Sequence, residues 1–421
     1  MNAQNFLLNP LNFILMICTC LVFMQCINNP ISPNERDSSQ LTLAEKGLVE
    51  SDNKFGFKIF KEITKEEKDK NVFISPLSVA MALGMTYNGA NGSTQEAMQK
   101  TLELSGLTIQ EINESYKSLT ELLTNLDPKV KFQIANSIWY RDIFPVEAEF
   151  IHINKTYFDA EVSGLDFSAP NASNIINGWV NEKTNGKIEK IVDDVINPLT
   201  VMFLINAIYF KGIWTYQFDE SQTRDDIFTL PDGSKKPCKM MKQKNEFQYF
   251  ENDAFQAIDL PYGDGDFRMT IFLPRMEKSV DSLVAELNQE NWNRWINSFH
   301  KQELTLQLPK LTLEYEIKLN DVLKALGMEI AFNPDKADFT KMYKEEGVSA
   351  NLYISKVKHK TFVEVNEEGT EAAAVTSVEM TFTAAPFGLL MRVDRPFIFA
   401  IRENYSGTIL FIGKIVEPTL E

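Results

Sequence analysis

The chain reads as an α+β protein whose single large domain spans about residues 43–421. Three observations carry that reading. Apolar residues at helical spacing crowd the first half, and strand-like runs crowd the second. Hydrophobic residues make up 44% of the 421 positions, 30 of them Phe, which is ample for a large core. No internal repeat or low-complexity tract interrupts the body.

The first 26 residues carry no charge, and Phe13 to Met24 is a continuous run of apolar or small residues. About a dozen residues are too few to span a bilayer, so residues 1–26 read as a signal peptide, although no Lys or Arg precedes the apolar run. Residues 27–42 follow as a polar, Pro-containing tether. Cys26 stands at their junction. Cleavage before a cysteine that leads a tether resembles a bacterial lipoprotein, with Cys26 as the lipid anchor to a membrane. Gln25 departs from the small residue expected there, and ordinary secretion with cleavage nearby is the alternative. Either route places the protein outside the cytoplasm. Cys18, Cys20 and Cys26 all lie in this leader, leaving Cys238 alone in the body. The domain is therefore not stapled by disulfides and its core must hold it.

Within the body, residues 41–48 and 55–63 have helical spacing. Residues 201–210 and 268–273 read as strands, and Leu304, Leu306 and Leu308 alternate cleanly with polar neighbours. The net charge of −16 argues against nucleic acid or an anionic membrane surface as partner. Catalytic signatures are missing. The three histidines, His152, His300 and His359, form no His-Glu-x-x-His pattern, and neither a Gly-x-Ser-x-Gly elbow nor a phosphate-cradling glycine loop occurs. The chain is not read as an enzyme, and it calls for no cofactor or metal.

One segment has a double character. From Thr370 the alternate positions Ala372, Ala374, Thr376, Val378, Met380 and Phe382 are uncharged, while Glu371 and Glu379 fall on the other parity. A strand alternates its side chains, so this stretch could bury one whole face without burying a charge. Yet Ala, Glu and Gly are poor strand formers and Pro386 closes the run, so it is equally fit to live in water as a loop. A surface helix capped by Thr370 is the plainer alternative.

Ordered motifs lower that alternative. Asn71 to Met85 with Ser75, Pro76 and Ser78, the turn from Asn88 to Thr94, and residues 135–139 come first. Residues 176–188, residues 204–214 with Asn206 and Trp214, and Leu260-Pro261-Tyr262 follow. Leu308-Pro309-Lys310 with residues 321–328, the stretch 366–377, and Gly407 to Lys414 complete the series. Together they resemble the serpin family of serine protease inhibitors, in the family's order. The resemblance implies three β-sheets, eight or nine helices, and an exposed reactive-centre loop near the C-terminus.

It also implies roles. Glu367, Glu368, Gly369, Thr370, Ala372, Ala373 and Ala374 match the hinge of an inhibitory serpin, with Gly369 expected to permit a backbone reversal. Ser75, Ser78, Asn206 and His359 match the hydrogen-bonded shutter, and Trp214 matches the breach where the loop first enters. The scissile residue is expected fourteen after Gly369, at Thr383, with Ala384 on the leaving side. The span to Pro396 is about two residues longer than in well-known members, which keeps Phe382 and Ala385 open. Small residues there suit elastase- or subtilisin-like serine proteases, Phe382 a chymotrypsin-like one, and cysteine proteases remain partners of the same bait. No Arg or Lys lies between Gly369 and Met391 to serve trypsin. The segment 108–117, basic in heparin-binding serpins, is acidic here, so heparin is not expected as a partner. The reading is of a metastable, monomeric inhibitor, secreted or surface-anchored. A non-inhibitory serpin, a carrier or folding helper cut as a substrate, is the alternative. A solute-binding lipoprotein would leave the ordered motifs unexplained.

Overall fold

A computed structural model describes residues 41–344, 351–370 and 388–419. The leader, Cys26, and the loop positions Ala372, Ala373, Ala374, Phe382, Thr383, Ala384 and Ala385 lie outside the described residues.

The first half is mostly helical: α1 (Leu43–Glu66), β1 (Val72–Ile74), α2 (Pro76–Tyr87), α3 (Gly92–Thr101), α4 (Ile109–Asn125), β2 (Val130–Arg141), α5 (Ala148–Phe158), β3 (Glu161–Leu165) and α6 (Ala172–Lys183). Strands β4 (Met202–Ile213), β5 (Arg224–Thr229), β6 (Lys235–Glu251), β7 (Phe255–Tyr262) and β8 (Phe267–Pro274) follow. Then come α7 (Val280–Glu286), α8 (Gln289–Ile296), β9 (His300–Pro309), β10 (Leu311–Lys318), α9 (Asn320–Leu323), β11 (Lys358–Val365), β12 (Gly369–Thr370), β13 (Leu389–Arg392), β14 (Phe397–Glu403) and β15 (Ile409–Ile415).

Local chemistry sets the helix starts. Thr42 caps α1 by accepting from the Glu45 amide at 3.1 Å, while Glu45 accepts from the Thr42 amide at 2.6 Å. Ser75 caps α2, and Pro76 occupies its first turn, where no amide donor is needed. The two helical stretches of the sequence are one helix, α1. Its intervening polar residues are buried and bonded: Tyr116 donates to Asp52 at 2.9 Å, and Asn53 holds the Gly407 carbonyl and the Ile409 amide.

The strands form two hydrogen-bonded sheets. The nine-stranded one runs β1-β15-β14-β8-β7-β6-β9-β13, with β5 also on β6. The six-stranded one runs β10-β11-β12-β4-β2-β3. Three expected sheets become two by continuous bonding because the long β6 pairs with β5 and β9 and, at its end, with β7. The main core fills the space between the sheets. Phe73 on β1 stacks on Phe399 and Phe411, at 5.5 and 5.2 Å between ring centres. Among the described residues no helix is long and apolar enough to cross a membrane.

A second, smaller core seals the outer face of the six-stranded sheet. Trp139 from β2 and Ile205 and Ala207 from β4 pack with Ile176, Trp179 and Val180 of α6. Trp139 meets Trp179 edge-on at 6.3 Å. Trp139→Ala should therefore detach α6 from the sheet and lower unfolding free energy by about 3–5 kcal/mol, measured by urea denaturation.

Candidate functional site

The site is a slot in the six-stranded sheet. Strand β12 is two residues long and pairs antiparallel on both sides. Thr370 faces Val365 of β11 and Gly212 of β4, and Gly369 faces Ile213. Among the described residues β4 and β11 meet through β12 alone. At the level of Thr370 the flanking strands are thus two strand spacings apart, roughly 9.5 Å, which is room for one strand. Below it a small cleft, continuous with solvent, lies between Ile208, Tyr209 and Phe210 of β4 and Phe362, Val363 and Glu364 of β11.

The top of the slot is closely fitted. Asn366 makes the turn before it: its side-chain oxygen accepts from the amides of Glu368 at 3.1 Å and Gly369 at 3.2 Å. Gly369 is not left-handed, and its glycine is required for a different reason than a backbone reversal. A Cβ there would lie 2.0 Å from the Gly212 carbonyl oxygen, so the two backbones can approach only without one. The Thr370 hydroxyl shares a hydrogen bond with the Tyr262 hydroxyl at 2.6 Å, wholly inside the core. Tyr262 stacks flat on Trp214 at 4.3 Å, and the Trp214 indole donates to the Asn366 carbonyl at 2.9 Å. Trp214 also donates its amide to the Glu368 carbonyl at 2.8 Å.

Glu367 is buried yet charged. Burial pushes its carboxyl up, but Lys310, donating at 2.6 Å, and Thr223, donating at 2.7 Å, hold it below its ordinary value. The segment before the slot is thereby fixed to β4, β7 and the β9–β10 corner.

Lower in the slot, α2 links the two banks. The Ser75 amide donates to His359 Nε2 on β11 at 3.0 Å, and the Ser75 hydroxyl donates to the Leu410 carbonyl at 2.6 Å. One turn on, the Ser78 hydroxyl reaches the Asn206 carbonyl on β4 at 3.4 Å. Asn206 donates to Asn136 at 2.8 Å, and its own side-chain oxygen is buried with no hydrogen-bond partner. Ser75, Ser78, Asn206 and His359 are thus brought into one cluster, but His359 and Asn206 stand on opposite banks, joined through the helix.

On the outer face the α6–β4 connection crosses the slot. Lys187 sits over the Phe362 ring at 4.6 Å and 3.9 Å from Glu364, both on β11. Asp193 pairs with Lys356 at 2.5 Å and Lys358 at 3.2 Å.

Several of these residues escaped sequence reasoning as site members. Tyr262 and Lys310 were visible only inside motifs, and their roles depend on partners about a hundred and about sixty residues away, respectively. Asn366 and Gly212 likewise stood only inside motifs, and Thr223 gave no pattern signal.

His359 yields a pH prediction. Burial pushes its imidazole down to about 4, below its ordinary 6.5. Between those values the unfolded chain binds a proton that the folded chain refuses. Stability should fall as pH drops across that window, by about 3 kcal/mol in all, and level off below it. Asp52 and Glu403, pushed up by burial to about 8 and about 7, contribute slopes of the opposite sign. Those slopes are common to wild type and His359→Gln, so urea denaturation of both from pH 7 to 4 isolates the histidine. The wild type should lose stability relative to the variant.

The serpin model, described as "Serpin (serine protease inhibitor)", matches residues 50–418. Human neuroserpin is 38% identical over 367 residues, covering 83% of this chain and 87% of that protein. Serpin B10 of Rhinolophus ferrumequinum is 32% identical, covering 88% and 99%. Among solved structures, the thermophilic serpin tengpin in its native state superposes with a TM-score of 0.79 at 35% identity, covering 88% of this chain and 94% of its own. Human thyroxine-binding globulin gives 0.80 at 29%, covering 90% and 100%. A sheet divided by a slot, a two-residue strand seated at its head, and matches spanning most of both chains agree: the chain belongs to the serpin family.

Proposed function

We propose that this serpin inhibits serine proteases by suicide trapping: the protease acylates itself on the reactive loop, and the cut loop enters the slot as a full strand. The slot beneath Thr370 carries the proposal. Each further residue of an entering strand moves one place back along both banks. Ala372 would then lie between Phe210 and Val363, Ala374 between Ile208 and Thr361, and Thr376 between Asn206 and His359, continuing the register of Thr370. These are the uncharged parity. Thr376 would bring a hydroxyl donor to the unpartnered Asn206 oxygen. Glu371, Ala373 and Glu379 would face outward, away from the main core. On this reading Glu367, Glu368, Gly369, Thr370, Ala372, Ala373 and Ala374 form the hinge, Ser75, Ser78, Asn206 and His359 the shutter, and Trp214 the breach.

The bait residue is Thr383, cut before Ala384, with Phe382 or Ala385 as neighbouring choices. Small side chains there suit elastase- and subtilisin-like proteases. The leader supports export, with lipid on Cys26 or release by cleavage beside it. A carrier role, suggested by likeness to thyroxine-binding globulin, would not need small, uncharged residues at the core-facing positions Thr370, Ala372 and Ala374.

Incubation with elastase or subtilisin should give an SDS-stable complex, while trypsin should not. Cleavage in the loop should raise the melting temperature sharply, since each backbone hydrogen bond completed in the slot is worth about 1 kcal/mol net. Coincident melting curves before and after cleavage would overturn the mechanism. Thr370→Arg should place an unpaired guanidinium where Tyr262 now bonds, at a cost of about 3 kcal/mol or more. The variant should still be cut but should need many more molecules per protease inactivated.

A further inference from the structure

The cations on the outer face of β11 are paired in two different ways. Lys358 and Lys360 have carboxylates beside them on β10, Glu316 at 2.9 Å and Glu314 at 2.5 Å. Lys356, just before β11, has none there, and among the described residues its ion pair is with Asp193 at 2.5 Å. Asp193 also reaches Lys358 at 3.2 Å, and the hydrogen bond from Lys356 is the main cause that holds its carboxyl below the ordinary value. That aspartate belongs to the opposite bank. On one side of it the Asn177 side-chain oxygen accepts from the Ile191 and Val192 amides, both at 2.9 Å. On the other, Ser173 donates to the Asp194 carbonyl at 3.0 Å. Asn177 and Ser173 stand on α6, which packs on β2 and β4. The Asp193–Lys356 pair therefore spans the slot from one bank to the other.

The register of the slot says what an entering strand would bring to that pair. Thr370 faces Gly212 and Val365, so Glu379, nine residues on, falls between Phe203 of β4 and Lys356. The bank is still paired there. The Leu319 amide donates to the Val357 carbonyl at 2.8 Å, one step beyond the Lys318–Lys358 pair of β10 and β11. Lys356, Lys358 and Lys360 share the parity that faces away from the core, whereas His359 and Thr361 have the buried one. Glu379 would face the same way as the lysines. Val375 and Ser377 would stand beside Lys360 and Lys358, so Glu379 is the loop acid that meets this row. The other outward acid, Glu371, would fall between Lys211 and Glu364, one charge of each sign. Directly opposed residues of opposite charge support a pairing. A slip of two residues would set Glu379 against Lys358, which already holds Glu316, or against Ile354. This count rests on the inhibitory reading above.

We propose that Lys356 is the receiving cation for Glu379 of the cut loop, and that Asp193 is the carboxylate that occupies it until the strand arrives. Insertion exchanges one ion pair for another. Lys356 has a carboxylate before and after, and the clip across the slot opens as its replacement closes. The pair now present is half exposed and therefore weak, which suits an exchange. Lys356 is thus a positioning residue. It fixes the final register of a strand whose small Ala and Thr side chains specify register poorly.

The test follows thermal melting of the uncut and the loop-cleaved protein in urea, an uncharged denaturant that leaves ion pairs unscreened. Asp193→Asn should lower the midpoint of the uncut form by about 1–2 °C and spare the cleaved form. Glu379→Gln should do the reverse, and Lys356→Met should lower both. All three shifts should shrink in concentrated salt. Trapping gives a second readout. Lys356→Glu and Glu379→Lys should each raise the stoichiometry of elastase inhibition about two- to fivefold, and combining them should restore it. A cleaved form indifferent to Glu379→Gln, or a double variant no better than either single one, overturns the pairing. Asp193→Asn lowering both midpoints overturns the exchange, since Asp193 would then keep Lys356 after insertion. A wild type that gains no thermal stability on cleavage and forms no SDS-stable complex overturns the inhibitory reading itself, before any variant is compared.

Discussion

The backbone pairs made by Gly369 and Thr370 hold the six-stranded sheet together across a gap that they fill only at its head. Everything else about the site answers to that gap. Backbone amides and carbonyls along β4 and β11 have strand geometry without a shared ladder among the described residues, so their facing edges are open to a further strand. The gap is one strand wide, so only an extended segment can complete both ladders, and it must enter from the end where β12 already sits.

Polar chemistry is distributed so that the gap can exist without collapsing the core. Glu367, just above it, keeps its charge inside the protein because Lys310 and Thr223 supply two donors. Below, α2 reaches both banks through Ser75 and Ser78, so a single helix N-terminus holds β11 and β4 at a set separation. His359 accepts from a backbone amide and is kept neutral by burial, which lets an imidazole stand at the slot without an unpaired charge. Outside, Lys187 and Asp193 bridge the α6–β4 connection to β11 with exposed or half-exposed pairs, contacts of the strength that can be exchanged without great cost.

Much of this was legible in the residues because parity and order are local properties. The charge-free alternation from Thr370 to Phe382 and the order of the motifs needed no coordinates. Element boundaries were less legible where polar residues are buried. Asp52 and Asn53 interrupt the apolar pattern of α1, and only Tyr116 and the β14–β15 turn, distant in sequence, show why they belong inside. Gly369 was readable as a required glycine, but for the wrong cause. The freedom of its φ is not used, and the constraint is the Gly212 carbonyl, set by a pairing between strands more than 150 residues apart. Tyr262 and Lys310 were hidden for the same reason, since a hydrogen-bond partner across the fold leaves no trace in local composition.

The other end of the reactive segment explains why cleavage is the trigger on the proposed mechanism. Strand β13 is an edge strand, paired in parallel with β9 from Leu389 to Arg392. Arg392 adds ion pairs to Asp226 of β5 at 2.6 Å and to Asp394 at 3.2 Å, and the Asp394 carbonyl accepts from the Thr229 amide at 2.8 Å. An uncut segment is therefore held in one sheet at Thr370 and in the other at Leu389. It cannot run the length of the slot unless β13 leaves β9, losing its ladder and its ion pairs together. Cutting the segment removes that opposition at once and leaves the gap's unmade backbone bonds as the driving force. The anchoring of β13 and the openness of the slot thus act on the same balance from opposite sides, and the bond broken by the protease decides between them.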